Sequence, residues 1–228
     1  MRSPIVFILG SSGLIGRECV KFFLTKNYIV YGFSKSTNPF ENSNNYIHTT
    51  LDIIHQSAIF FKILEEQQPG SIIIATGNHG VAESQENAAS LFYLHLTFAD
   101  HLIRELKVLN YESSLIFCSS LMAYVPDRIF PSYAASKAGL NQLILSSIPN
   151  VPSKLKISGI NLGPVAKNPS HWFETTPLQV TQKIDKLLKA KTCGLIFYPR
   201  IGKLLAFLSI VHPFILEKLL IGRRRPHG

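Results

Sequence analysis

The stretch PSYAASKAG, residues 131–139, sets a tyrosine and a lysine four positions apart among small residues. On a helix, Tyr133 and Lys137 share one face. A free tyrosine has a pKa of about 10, too high for easy proton exchange at neutral pH. A neighbouring ammonium favours the phenolate and lowers that value. A tyrosine tuned in this way can protonate an alkoxide as it forms from a carbonyl, which is general acid catalysis. Any packed helix can carry the same spacing without chemistry, so the elements around the pair decide between the two readings.

Those elements alternate. PIVFIL, residues 4–9, is a short continuous apolar run, the pattern of a strand buried on both faces. RECVKFFLTKN reads as an amphipathic helix ending near Asn27, and YIVYGF as a second strand. SAIFFKILEEQQPG is a helix closed by Pro69 and Gly70. SIIIATG is a buried strand, NAASLFYLHLTFADHLIRELKVL one long helix, and SLIFCSS a further strand. A helix from about Ser132 to Ser147 carries the Tyr–Lys pair. KLKISGINLGP is a strand, TPLQVTQKIDKLLKAK a helix, and GLIFYP a last short strand. This alternation predicts an α/β fold: a doubly wound parallel sheet of Rossmann type between two helical layers. Ligands of such folds bind at the carboxyl ends of the strands.

The first strand leads into LGSSGLIG, which places Gly10, Gly13 and Gly16 at the opening of the first helix. A turn there needs glycine for its backbone geometry and for close approach to phosphate. The helix N-terminus then offers free N–H groups and a positive dipole end. Gly10, Ser11, Ser12, Gly13, Leu14, Ile15 and Gly16 are therefore the expected cradle for a dinucleotide pyrophosphate. The exit of the second strand chooses between dinucleotides. NAD-binding units usually place there an acid that holds the ribose hydroxyls. This chain has SKSTN, and Ser34, Lys35 and Ser36 suit a 2′-phosphate instead. NADP(H) is the favoured cofactor, with NAD(H) as the alternative.

With its landmarks in this order, the chain resembles the short-chain dehydrogenase/reductase family over residues 4–200. Asp52 in TLDI, with Ile53 beside it, resembles the family acid that contacts the adenine end. IIATG, carrying Ala75, Thr76 and Gly77, resembles the Asn-Asn-Ala-Gly element. FCSS, YAASK and NLGPV follow, and Ser120 lies thirteen residues before Tyr133, the spacing of the family's compact branch. The resemblance implies a hydride-transfer site. In it, Tyr133 is the proton donor, Ser120 holds the substrate oxygen, and Lys137 tunes the tyrosine and holds the nicotinamide ribose. The backbone of Val165 is expected beside the nicotinamide.

Four features depart from the family pattern. The loop spacing G-x-x-G-x-x-G resembles the extended branch, which includes nucleotide-sugar epimerases, although the chain is short for that branch's added substrate domain. His95 stands where the family commonly has an asparagine that supports a water near the lysine. A histidine can do the same or add its own pH dependence, and His95 is kept as a fourth catalytic candidate beside the reading of a merely packed helix residue. Ala75 and Thr76 replace an asparagine-bearing pair. Leu162 and Lys167 replace a proline and a threonine; Lys167 reaches either an anionic group or solvent.

The 228 residues suit one sizeable domain. The expected division is a catalytic domain over 1–200 and an amphipathic basic extension over 201–228. Cys19, Cys118 and Cys193 are odd in number and far apart. They match neither a disulfide framework nor metal-ligand spacing, so no metal and a cytoplasmic location are expected. The apolar run near the N-terminus ends in glycines rather than in a cleavage site.

Net charge is +9 and uneven: residues 1–115 hold 8 basic and 10 acidic side chains, residues 116–228 hold 15 and 4. A basic half attracts anions. In the tail, Lys203, His212, Glu217 and Lys218 interrupt the apolar positions, and Pro213 bends or ends any helix. No apolar run there approaches the roughly 18 residues of a membrane-spanning helix. Two short amphipathic helices are expected instead. They would serve as a lid, as a subunit contact in a dimer or tetramer, or as an anchor on an anionic membrane surface. No nucleic-acid-binding module is recognised, so nucleic acid is not an expected partner. The expected activity is NAD(P)H-dependent reduction of a ketone or aldehyde of hydrophobic character, or the reverse oxidation. The alternatives are an epimerase or dehydratase with tightly held NAD, and a dinucleotide-binding protein without catalysis.

Overall fold

A computed structural model describes residues 4–38, 40, 45–77 and 83–211. Among them, the strands are β1 (Ile5–Leu9), β2 (Ile29–Ser34), β3 (Tyr46–Thr50), β4 (Ser71–Ile74), β5 (Ser113–Ser120), β6 (Leu155–Leu162) and β7 (Gly194–Tyr198). They form one parallel sheet in the order β3-β2-β1-β4-β5-β6-β7. The order reverses between β1 and β4, and that reversal opens the crevice in which such sheets bind ligands.

The central strands alternate between two cores. In β1, Phe7 and Leu9 face one core while Val6 and Ile8 face the other. In β5, Leu115 and Phe117 share the first core, Ile116 and Cys118 the second. The first core is covered by α2 (Ile53–Gln67), α4 (Phe98–Leu109) and α5 (Pro131–Ser147), through Phe60, Phe98, Leu102, Leu140 and Ile144. The second is covered by α1 (Leu14–Thr25) and α6 (Pro177–Lys189), through Val20, Phe23, Val180 and Ile184. Each fully buried side chain of this size contributes roughly 1.5–3 kcal/mol. The continuous apolar runs of the strands are explained by this burial on both faces.

Three local features differ from the sequence expectation. The edge strand β3, YIHTT, has no apolar run, because only Tyr46 of its five residues is buried. The helix α2 starts at Ile53 rather than near Ser57, because Asp52 caps it by accepting from the Ile54 N–H at 3.0 Å. The expected single long helix is α3 (Gln85–Phe92) and α4 joined by a π-helical turn, Tyr93–Thr97. A π turn takes one more residue than an α turn, so it re-aims the side chains it carries. His95 is one of these, and it is buried.

Of the C-terminal extension, the first eleven residues are described as α7, Ile201–Val211. Ser209 Oγ donates to the Tyr124 carbonyl at 2.6 Å, and Gly202 packs against Leu121. Lys203, Leu204, Phe207 and Leu208 are exposed on the opposite side. The expected second tail helix and the Arg223–Arg225 run lie outside the described residues. Among the described residues, no helix is long and apolar enough to cross a membrane.

Candidate active site

The glycine turn is built by close approach. Gly10 has φ +86°, and a Cβ there would lie 2.7 Å from the Ala75 carbonyl oxygen. A Cβ on Gly16 would lie 2.0 Å from the Gly10 carbonyl oxygen, so helix α1 can sit this close to the turn only with glycine there. Arg17 Nε braces the turn by donating to the Ser12 carbonyl at 2.7 Å. The first N–H groups of α1 have no partners within the helix, and its first two residues, Leu14 and Ile15, line the cavity. Gly10, Ser12, Gly13, Leu14 and Ile15 line that cavity, whereas Ser11 is buried under the turn beside Gly32 and Gly16 serves the helix contact. A pyrophosphate fits a cradle of this kind.

At the end of β2, Ser34, Lys35 and Ser36 line the same cavity. Ser34 Oγ sits 3.0 Å from His48 Nε2 and 3.1 Å from the Ser36 carbonyl oxygen. Lys35 Nζ pairs with Asp52 Oδ2 at 3.0 Å. Asp52 itself does not line the cavity: it caps α2 and neutralises Lys35, while Ile53 next to it forms the wall. Burial, the largest single effect, pushes the Asp52 carboxyl up, but the hydrogen bonds from Lys35 and the Ile54 N–H and the charges of Lys35 and His55 together hold it below its ordinary value.

Ser120, Tyr133 and Lys137 come together at the other end. Ser120 closes β5, and its Oγ accepts from the Met122 N–H at 3.1 Å, which leaves the hydroxyl to meet Tyr133. Tyr133 and Lys137 lie on the buried face of α5. The N-terminus of α5 is met by Glu83, whose carboxylate accepts from the Ser132 N–H at 3.0 Å. Lys137 Nζ donates to the Cys118 carbonyl at 2.8 Å and lies 3.4 Å from the Thr76 carbonyl oxygen. Burial lowers its pKa to about 8.

The expected lowering of the Tyr133 pKa by Lys137 is not what this geometry produces. Burial raises it first, Cys118 and Asp127 add to the rise, and the Ser120 hydrogen bond opposes it. The ammonium lies 5.7 Å from the centre of the Tyr133 ring and is turned toward the Cys118 carbonyl.

His95 lies behind this group rather than on the cavity wall. Its Nδ1 is 2.9 Å from Ser136 Oγ. Ala75, Thr76, Gly77 and Val165 line the cavity, and Lys167 is exposed away from it.

One cavity of about 1060 Å³ joins the glycine turn to Ser120, Tyr133 and Lys137. Sequence reasoning missed its apolar wall: Leu91 and Leu94, Met122, Ile129 and Phe130, Phe173, and Ile201 and Leu205 of α7. These residues come from five separate segments and share no motif.

The glycine turn and the group of Ser120, Tyr133 and Lys137 thus open on one cavity of a Rossmann-type fold. A profile described as the NAD dependent epimerase/dehydratase family matches residues 6–143, and the chain belongs to that family. No curated protein sequence matches it significantly. Solved structures match the fold closely. A short chain dehydrogenase family protein from Francisella tularensis subsp. tularensis SCHU S4 is 16% identical, with a TM-score of 0.77 over 89% of this chain and 100% of that one. A 4-hydroxyisoleucine dehydrogenase complexed with NADH is 19% identical, TM-score 0.71, over 86% and 96%. A short chain dehydrogenase from Leptospira borgpetersenii serovar Hardjo-bovis with bound NAD+ is 18% identical, TM-score 0.71, over 88% and 92%. The fold is thus that of the short-chain dehydrogenases.

Proposed function

We propose that this chain is an NAD(P)(H)-dependent oxidoreductase that reduces a ketone or aldehyde, or oxidises the corresponding alcohol. The observation that carries this reading is the single cavity running from the glycine turn to Ser120, Tyr133 and Lys137. The bound dinucleotide supplies or accepts the hydride. The α1 N-terminus and glycine turn hold its phosphates, and Lys137 holds the ribose of its nicotinamide half. Ser120 hydrogen-bonds the substrate oxygen, and Tyr133 gives that oxygen its phenolic proton as negative charge develops. The buried Tyr133 keeps its proton at neutral pH, as a donor must.

NADP(H) is the proposed preference, because Ser34, Lys35 and Ser36 line the cavity and no acid follows β2 in sequence. Asp52 competes for Lys35, which favours NAD(H) as the second reading. The apolar wall supports a hydrophobic substrate.

Titration of the full chain with NADPH and NADH, followed by a carbonyl panel with Tyr133→Phe as the blank, tests the proposal. NAD(P)H consumption that Tyr133→Phe abolishes is the expected result. An epimerase, favoured by the loop spacing and the family profile, would instead copurify with NAD and show no net redox turnover.

A further inference from the structure

Helix α7 has three sides. Gly202, Ala206 and Ser209 are buried against the body of the protein. Ile201 and Leu205 line the cavity. Leu204, Phe207 and Leu208 are exposed, Phe207 to 63%. At 3.6 residues per turn, Leu204 and Leu208 fall between Phe207 and the cavity-lining pair. The apolar surface is therefore continuous from the outside of α7 round to the cavity wall.

A second segment of that wall behaves alike. Phe173 lines the cavity, and Trp172, the one tryptophan of the chain, is 80% exposed beside it. Pro199, two residues before α7, and the Phe173 carbonyl both adjoin Gly163, so the two segments meet there. Single exposed apolar residues are ordinary, but three on one helix face beside a cavity mark an interaction surface.

Charge selects the occupant. Arg200 and Lys203 are exposed at the start of α7. No acid occurs between Asp185 and Glu217, and from Ile201 onward Glu217 stands against Lys203, Lys218, Arg223, Arg224 and Arg225. A second copy of the chain would bring the same cations together across the contact, which is unfavourable. An anionic lipid surface meets both features: its acyl region takes the Leu and Phe side chains, and its headgroups take the Lys and Arg.

Resting on the oxidoreductase reading above for its substrate, we propose that α7 and Trp172 seat the protein on an anionic lipid surface, and that the substrate is a long-chain carbonyl compound, or its alcohol, dissolved in that lipid. The continuous apolar side of α7 leads such a chain from the lipid into the cavity without passing through water. The reaction is the one already given: hydride goes from the dinucleotide to the carbonyl carbon, and the Tyr133 proton goes to its oxygen.

Flotation of the full chain with vesicles tests the surface without substrate. Mixed phosphatidylglycerol and phosphatidylcholine vesicles should carry the protein far better than phosphatidylcholine alone, and added salt should weaken the binding. Trp172 emission should move to shorter wavelength on the anionic vesicles. Leu204→Glu combined with Phe207→Glu should lower partitioning by about tenfold or more. Lys203→Ala should lower it about fivefold, the worth of one cation beside such a surface. Absence of flotation, an unshifted Trp172 emission, or flotation retained by the double variant overturns the proposal. So does a dimer in sedimentation that the double variant dissociates, since the face would then belong to a second copy. With a long-chain aldehyde held in anionic vesicles, the double variant should turn over about tenfold more slowly than wild type, while both reduce a short soluble aldehyde equally. Equal turnover of the long-chain aldehyde overturns the substrate assignment. If the wild type reduces neither aldehyde, the oxidoreductase reading fails by itself, and flotation still decides the lipid surface.

Discussion

The two ends of the cavity are built from different parts of the chain. The end proposed as the nucleotide end is mostly backbone: a turn at Gly10, the free N–H groups of α1, and a contact at Gly16 with no room for a side chain. The end proposed as the reactive end is mostly side chain, with Ser120, Tyr133 and Lys137 each held by a neighbour on another element. A backbone site depends on a few glycines and tolerates change around them. A side-chain site depends on each group and on what fixes it. The departures of this chain from the family pattern fall at both ends: the loop spacing G-x-x-G-x-x-G beside α1, and His95, Thr76 and Leu162 near Lys137 and Ser120.

The largest expected effect falls at the reactive end. Tyr133→Phe should lower kcat by about 10²–10⁴-fold, the usual worth of a positioned general acid, with cofactor affinity nearly unchanged. Stopped-flow NAD(P)H consumption beside a fluorescence titration measures both. Equal losses in the two would erase the division between the ends. Ser120→Ala should follow at about 10²-fold in kcat, the cost of one donor to the reacting oxygen.

At the nucleotide end, Gly16→Ala should act through the backbone. Its Cβ must displace the Gly10 carbonyl, so thermal unfolding should show a loss of roughly 1–3 kcal/mol together with weakened cofactor binding. Ser12→Ala, which keeps the backbone, should leave binding within about twofold. A large effect of Ser12→Ala would mean that side chains carry the cradle.

Lys35→Ala sharpens the cofactor assignment. A charge-assisted hydrogen bond to phosphate is worth about 1.5–3 kcal/mol, so NADPH affinity should fall about tenfold or more while NADH affinity holds. The exposed ion pair with Asp52 contributes little, so stability should barely change. An unchanged NADPH affinity removes the 2′-phosphate assignment.

A further expected effect is in stability against pH. Burial depresses the Lys137 pKa from 10.5 to about 8. Between those values the unfolded chain binds the proton and the folded chain does not, so this residue's contribution rises with pH across that window and is flat below it. Denaturant unfolding of wild type and Lys137→Met at pH 7.5 and 10 should show that rise only in the wild type.

Much of this was legible in sequence. The apolar runs of β1, β4, β5 and β6 marked buried parallel strands, and the glycines marked the turn after β1. β3 was not legible, because an edge strand with one buried residue leaves no periodic signal. The π-helical turn was not legible either: LFYLHLTF keeps a helical apolar pattern, while the extra residue is accommodated by packing against α5. Asp52 was recognised as a special position, but its cap on α2 and its bond to Lys35 needed coordinates.

The sequence by itself determined the sheet, the glycine turn, and the order and spacing of Ser120, Tyr133 and Lys137, because these depend on local periodicity and backbone freedom. Tertiary structure decided the direction of the Tyr133 shift, the burial of His95 behind the cavity wall and the apolar wall drawn from five segments. Burial and hydrogen-bond partners are set by residues far apart in the chain, and no local pattern encodes them.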